Sequence, residues 1–234
     1  MGKLSMVNNH EKPRLSFWIL GHLLKAKGIV GKHHVPLWEI ALELVLYQLG
    51  LSFRKTAKVP GLLGKEVSHV AVWYWNKKVG EAGIKLHQGP LPPVIVVGET
   101  WVKVGGKEAW IYVALDPRTL KVIYLEPFFV RDEGNTNAFL EHLEAYGEWP
   151  KEVITDGGPW YRATFSFWQV EGKITWRVVR GGERSVIEGF FGEFLKRRIK
   201  DFDRYFPTKK GLDSLRRWLW AFAWLHNLIM DGCF

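Results

Sequence analysis

The chain has 234 residues, 47% of them apolar and 24% charged, with thirteen tryptophans. This composition supports a full hydrophobic core and argues against a disordered chain. Its single cysteine, Cys233, excludes an internal disulfide framework, and no apolar run approaches the roughly 20 residues needed to span a bilayer, so a cytoplasmic protein is expected. The net charge of +9 is uneven: residues 1–90 carry thirteen Lys/Arg against five Asp/Glu, and the remainder twenty against nineteen. A basic first part joined to a near-neutral second part points to a polyanion-binding module attached to something else.

Residues 1–36 show no clear period and read as an N-terminal extension. Phe17–Leu24 is apolar but short and does not resemble a cleavable signal. His10, His22, His33 and His34 lack metal-ligand spacing. From Leu37 the pattern turns helical, with Leu37, Ile40, Ala41, Leu44, Val45 and Gln48 on one stripe up to Gly50. Ser52 then caps a short second helix carrying Arg54, Lys55 and Lys58, which Pro60-Gly61 stops. A third helix is expected from about Glu66 to Val79. Its inner face would be Val67, Val70, Ala71 and Tyr74, and its outer face Ser68, His69, Trp73, Asn76 and Lys77. Three short helices in residues 37–88, broken by Gly and Pro, fit a helix-turn-helix domain. The third helix would enter the major groove of DNA while Arg54 and Lys55 lie along phosphates. A plain three-helix bundle has the same pattern.

Gly89-Pro90-Leu91-Pro92-Pro93 is a stiff linker that helix should not cross, and a second domain is expected over residues 94–234. Strands are expected at Val94–Val104, Trp110–Leu115 and Lys121–Leu125, the first two joined by a Gly105-Gly106 hairpin. A helix over Asn135–Tyr146, a strand at Glu152–Thr155, a strand at Ile174–Val179 and helices over Arg184–Lys200 and Leu212–Ile229 complete the chain. A three-strand meander, a helix, two more strands and closing helices is the order of a ribonuclease-H-like α/β fold: a mixed five-stranded sheet with flanking helices.

In such a fold, acidic residues at strand ends and on a following helix gather round one centre. Asp156 follows an apolar strand and precedes Gly157-Gly158-Pro159, where glycine permits an abrupt turn or a close approach; a plain Asp-Gly turn is the competing explanation. Glu188 sits among Val186, Ile187, Phe190 and Phe191, with Lys196, Arg197, Arg198 and Lys200 behind it. A carboxylate ahead of a basic tract suits a metal-and-phosphate site, although by the residues alone a solvated helix face with ion pairs is the simpler explanation.

These segments resemble a known family. Ile154-Thr155-Asp156-Gly157-Gly158-Pro159-Trp160-Tyr161 looks like the second-aspartate segment of D-D-E transposases of insertion-sequence family six, and residues 182–200 look like the segment bearing their glutamate. Glu99–Val104 with Trp110–Asp116 looks like the opening of their catalytic domain. Glu188 follows Asp156 by 32 positions, close to the family's spacing. The resemblance implies a transposase that binds terminal inverted repeats and target DNA as a homodimer or larger assembly, associated with the nucleoid. It would cleave and join strands with two Mg²⁺ or Mn²⁺ ions. Asp156 and Glu188 would hold the metals, and Lys196, Arg197 and Arg198 would grip DNA.

One departure stands out. Where the family has Asp-Glu-Thr, this chain has Gly98-Glu99-Thr100, and glycine offers no carboxylate. Glu99 or Asp116 is the candidate substitute, but strand alternation points Glu99 away from the face of position 98 unless a bulge re-aims it. A catalytically inactive, transposase-derived DNA-binding protein is therefore the alternative. A globular interaction protein without a nucleic-acid role would lack salt-dependent DNA binding.

Overall fold

The computed structural model describes residues 16–32, 34–63, 67–179 and 211–231, together with residues 188, 189, 191, 192, 195 and 198. The first strands form where β-branched and aromatic residues run together: β1 (Val94–Val104), β2 (Lys107–Leu115) and β3 (Val122–Phe128). Gly105 and Gly106, with φ of 63° and 80°, make the two-residue turn that brings Val104 opposite Lys107. The shorter strands β4 (Glu152–Thr155) and β5 (Thr175–Val178) complete a sheet of order β3-β2-β1-β4-β5. The first three strands are antiparallel, β4 runs parallel to β1, and β5 parallel to β4. This is the mixed five-stranded, ribonuclease-H-like sheet that the order of sequence elements implied.

The helices preceding the sheet are α1 (Phe17–Ala26), α2 (Leu37–Gln48), α3 (Phe53–Thr56) and α4 (His69–Glu81), with a 3₁₀ turn at Pro60–Leu63. Ser16, Ser52 and Ser68 each accept a backbone N–H three residues on, which satisfies an otherwise orphaned helical donor. Helix α1 lies in the stretch that shows no period in sequence. Helix α5 (Glu133–Glu144) follows β3, and α6 (Pro159–Val170) lies between β4 and β5. α6 has no counterpart among the sequence-based elements. Its signal was present: Pro159 opens it, and Tyr161, Thr164, Phe165 and Trp168 are its buried stripe. The last helix, α7, spans Gly211–Met230.

The sheet separates two cores. One face, with Val96, Val102, Val104, Ile111, Val113 and Ile154, packs in a cluster with α1, α2, α4 and α7. The other, with Ile95, Val97, Tyr112, Tyr124 and Val153, is covered by α5 and α6. Helix α7 is buried from Leu215 to Asn227 on most of its circumference, because it has the sheet on one side and the N-terminal helices on the other. Asn227 joins three segments. Its Oδ1 accepts from Val122 N–H (2.7 Å), and its amide donates to Val122 O (2.8 Å) and Leu86 O (3.0 Å). It thereby pairs the outer edge of β3 as a further strand would. The helices before the proline joint and the sheet after it thus share one hydrophobic cluster.

The face of α4 differs from expectation. Val72, Trp75, Asn76 and Val79 are buried, whereas Val70 (55%) and Tyr74 (47%) are exposed. Valine, tryptophan and tyrosine occupy so many consecutive positions that periodicity alone does not choose a face. The approach of α7 does: a Cβ on Gly80 would lie 1.9 Å from Arg217 O. Among the described residues no helix is long and apolar enough to cross a membrane.

Candidate active site

Strand β4 ends at Thr155, and Asp156 is exposed immediately after it. The turn beyond depends on its two glycines. Gly157 has φ +79°, and a Cβ there would meet Val178 Cγ1 at 2.5 Å. A Cβ on Gly158 would meet the ring of Trp160 at 2.4 Å. The Gly158 N–H donates to Asp156 Oδ1 (3.1 Å), so the carboxylate is anchored by one oxygen to its own turn. Part of the Asp-Gly turn explanation is therefore correct, and it coexists with an exposed carboxylate beside β1.

Position 98 lies in regular β-structure. The β1–β2 register runs without a bulge from Val96 opposite Leu115 to Val104 opposite Lys107, with Gly98 opposite Val113. Alternation places position 98 on the face of Val96 and Val102, and Glu99 on the face of Ile95 and Val97. Glu99 is not re-aimed.

The Glu99 side chain is only 4% exposed. Its Oε2 accepts the Tyr161 hydroxyl and its Oε1 the Arg131 guanidinium (3.4 Å). Burial pushes its carboxyl above the ordinary range. The Tyr161 hydrogen bond opposes that shift, the charge of Asp156 adds to it, and Arg131 opposes it. Tyr161 is fully buried, and burial beside Glu99 holds its hydroxyl protonated well above the usual tyrosine range. Arg131 stands between two indoles, its Cζ 3.7 Å from the Trp110 ring and 3.6 Å from the Trp160 ring. Tyr161 lay inside a segment singled out in sequence. Arg131, in the β3–α5 loop, carried no local signal, because the groups that hold it come from three other elements.

Glu188 is exposed, and residues 188 and 189 are helical. Phe191 and Leu195 are buried in the first-face cluster, which also holds Ile154 and Val96. The same inward stripe includes Arg198, 6% exposed, whose Nη2 donates to Tyr47 O (2.6 Å) and whose guanidinium lies 4.8 Å from the Tyr47 ring. A phosphate contact expected of Arg198 is thus replaced by a buried tie to α2. Lys196 and Arg197 lie outside the described residues.

Among the other DNA-contact candidates, Arg54, Lys55, His69 and Trp73 are exposed and Lys77 half-buried, while Ser68 is committed as the cap of α4. Asn76 is 4% exposed and faces the core. Lys77 lies over the Trp73 ring (5.7 Å) and Lys78 over the Tyr74 ring (5.6 Å). Arg54, Lys58 and His69 border a cleft of about 420 Å³ at the start of α4.

A pair of divalent cations needs several oxygen ligands. Gly98 supplies none, both Glu99 oxygens are engaged, and Asp156 presents an exposed carboxylate. Among the described residues no three His, Cys, Asp or Glu side chains are grouped to hold a metal ion. The described residues by themselves do not complete a two-ion site.

No curated protein sequence matches the chain. Solved structures that are similar in part include three viral integrase structures. Two are of the HTLV-2 integrase catalytic core domain in complex with magnesium: a dimeric form (16% identity, TM-score 0.41, 56% of this chain and 86% of that one) and a trimeric form (18%, 0.42, 57% and 86%). The third is a simian T-cell lymphotropic virus intasome in complex with the PP2A regulatory subunit B56 gamma (18%, 0.41, 64% and 57%). Residues 94–229, which run from the start of β1 almost to the end of α7, match the model of a DDE domain of transposases (DDE_Tnp_IS240). The chain belongs to the DDE domain family of transposases.

Proposed function

We propose that the protein is an insertion-sequence transposase of the family-six type. It binds the ends of its element as double-stranded DNA, assembles there as a dimer or larger complex, and processes strands at a centre built on Asp156 and Glu188. The observation that carries this reading is Asp156, exposed at the end of β4 beside β1 within the DDE domain. The outward face of α4, with His69, Trp73 and Lys77 next to the Arg54 cleft, supports a helix-turn-helix role: side chains on such a face reach base edges while cations meet phosphates. Mg²⁺ or Mn²⁺ would supply charge stabilisation at the attacking and leaving oxygens. With Gly98 in place the centre lacks one carboxylate, so strand cleavage is weak.

The absent carboxylate and the engagement of Glu99 favour one second reading, a transposase-derived protein that binds DNA without cutting it. Both readings require DNA binding, and footprinting on the sequences flanking the gene tests it. Protection that weakens steeply between 50 and 200 mM salt is expected, since counterion release makes phosphate binding salt-dependent. Absence of salt-dependent protection would defeat both.

A further inference from the structure

We infer that Glu99, Arg131 and Trp160 form a positioning stack that sets the direction of the Asp156 carboxylate. The contacts form an unbroken series. Glu99 on β1 holds the Arg131 guanidinium. That guanidinium lies against the Trp160 ring at 3.6 Å and is backed by Trp110 at 3.7 Å. The Trp160 ring lies so close to Gly158 that no Cβ fits between them, and the Gly158 N–H holds Asp156 Oδ1 at 3.1 Å. Tyr161, the next residue, returns to the other Glu99 oxygen. The first turn of α6 is therefore tied to β1 at two adjacent residues, and the three-residue link from β4 to α6 has little freedom left.

The chemistry of each member suits this work. A guanidinium is planar and stacks on both faces, which an ammonium does not. Tyr161 is buried, so its hydroxyl stays a donor to Glu99. Glu99 is thereby assigned a mechanical role, and this explains why a carboxylate next to position 98 does not take over as a ligand. Arg131, Glu99, Trp160 and Tyr161 are positioning residues; none touches a reacting atom.

The functional meaning of the stack rests on reading Asp156 as a metal carboxylate, whereas the mechanical link does not. Amide hydrogen exchange on the full, ¹⁵N-labelled chain separates the two. Arg131→Lys and Glu99→Gln are expected to speed exchange of the Gly158 amide at least about tenfold and to leave the β4 amides unchanged. Trp160→Phe, which retains an aromatic face, should stay near the natural rate. An unchanged Gly158 rate in Arg131→Lys overturns the stack. So does acceleration spread through β4, which would mark general loosening. If the Gly158 rate responds as expected but no variant bearing an introduced carboxylate at position 98 cuts DNA, the stack stands and the catalytic reading of Asp156 fails.

Discussion

Glu43 on α2 is fully buried, and neither carboxyl oxygen has a hydrogen-bond partner among the described residues. Burial, with a smaller contribution from the charge of Glu39, pushes its carboxyl from 4.5 up to about 8. Below pH 4.5 the group is protonated both folded and unfolded, and stability does not depend on its titration. Between 4.5 and 8 the unfolded chain releases the proton while the folded chain keeps it, so stability falls as pH rises; above 8 both forms are ionised and the slope ends. At up to about 1.36 kcal/mol per pH unit, with the slope flattening as the folded group begins to titrate, the loss from pH 6 to pH 8 is about 2 kcal/mol. That is a large part of the 5–15 kcal/mol typical of a folded protein. Urea unfolding of the natural chain and Glu43→Gln at the two pH values measures it. The natural chain should lose that stability, and the variant, with nothing to titrate at this position, should lose about 2 kcal/mol less. If the two lose stability in parallel, the buried neutral carboxyl is not the cause.

Other outcomes follow from the same packing. Gly80→Ala forces a methyl into Arg217 O and should destabilise the chain by about 1–3 kcal/mol, whereas Gly61→Ala, with nothing within 4 Å, should not; thermal unfolding compares them. Lys77→Ala should weaken binding to duplex DNA and reduce the log–log salt slope by about 1. Asn76→Ala should instead lower the unfolding temperature while leaving that slope unchanged, because its side chain faces the core; fluorescence anisotropy across a salt series reads both.

The strands were legible because Val94–Val104 and Trp110–Leu115 couple β-branched runs to a Gly-Gly turn, a local signal that tertiary packing did not override. The α2 stripe was legible for the same reason. α4 was found, but its face was not, since its apolar residues surround the helix and only the position of α7 decides which are covered. The strand end and turn at Asp156 were legible from Gly157 and Gly158. The stack around Glu99 was not, because Arg131, Trp110 and Tyr161 come together from three elements, and no spacing along the chain encodes that meeting. Asn227 was hidden for a similar reason: an asparagine inside a helix gives no hint that it pairs the edge of a strand 105 positions away.

The most direct measurement is Mn²⁺-dependent nicking of duplex DNA carrying the element ends by the natural chain, Gly98→Asp, and Gly98→Asp combined with Asp156→Asn. The account predicts that introducing a carboxylate at position 98 raises the rate on the order of a hundredfold, and that removing Asp156 abolishes the gain. Equal cutting by the natural chain and Gly98→Asp, or a gain that survives Asp156→Asn, would contradict it.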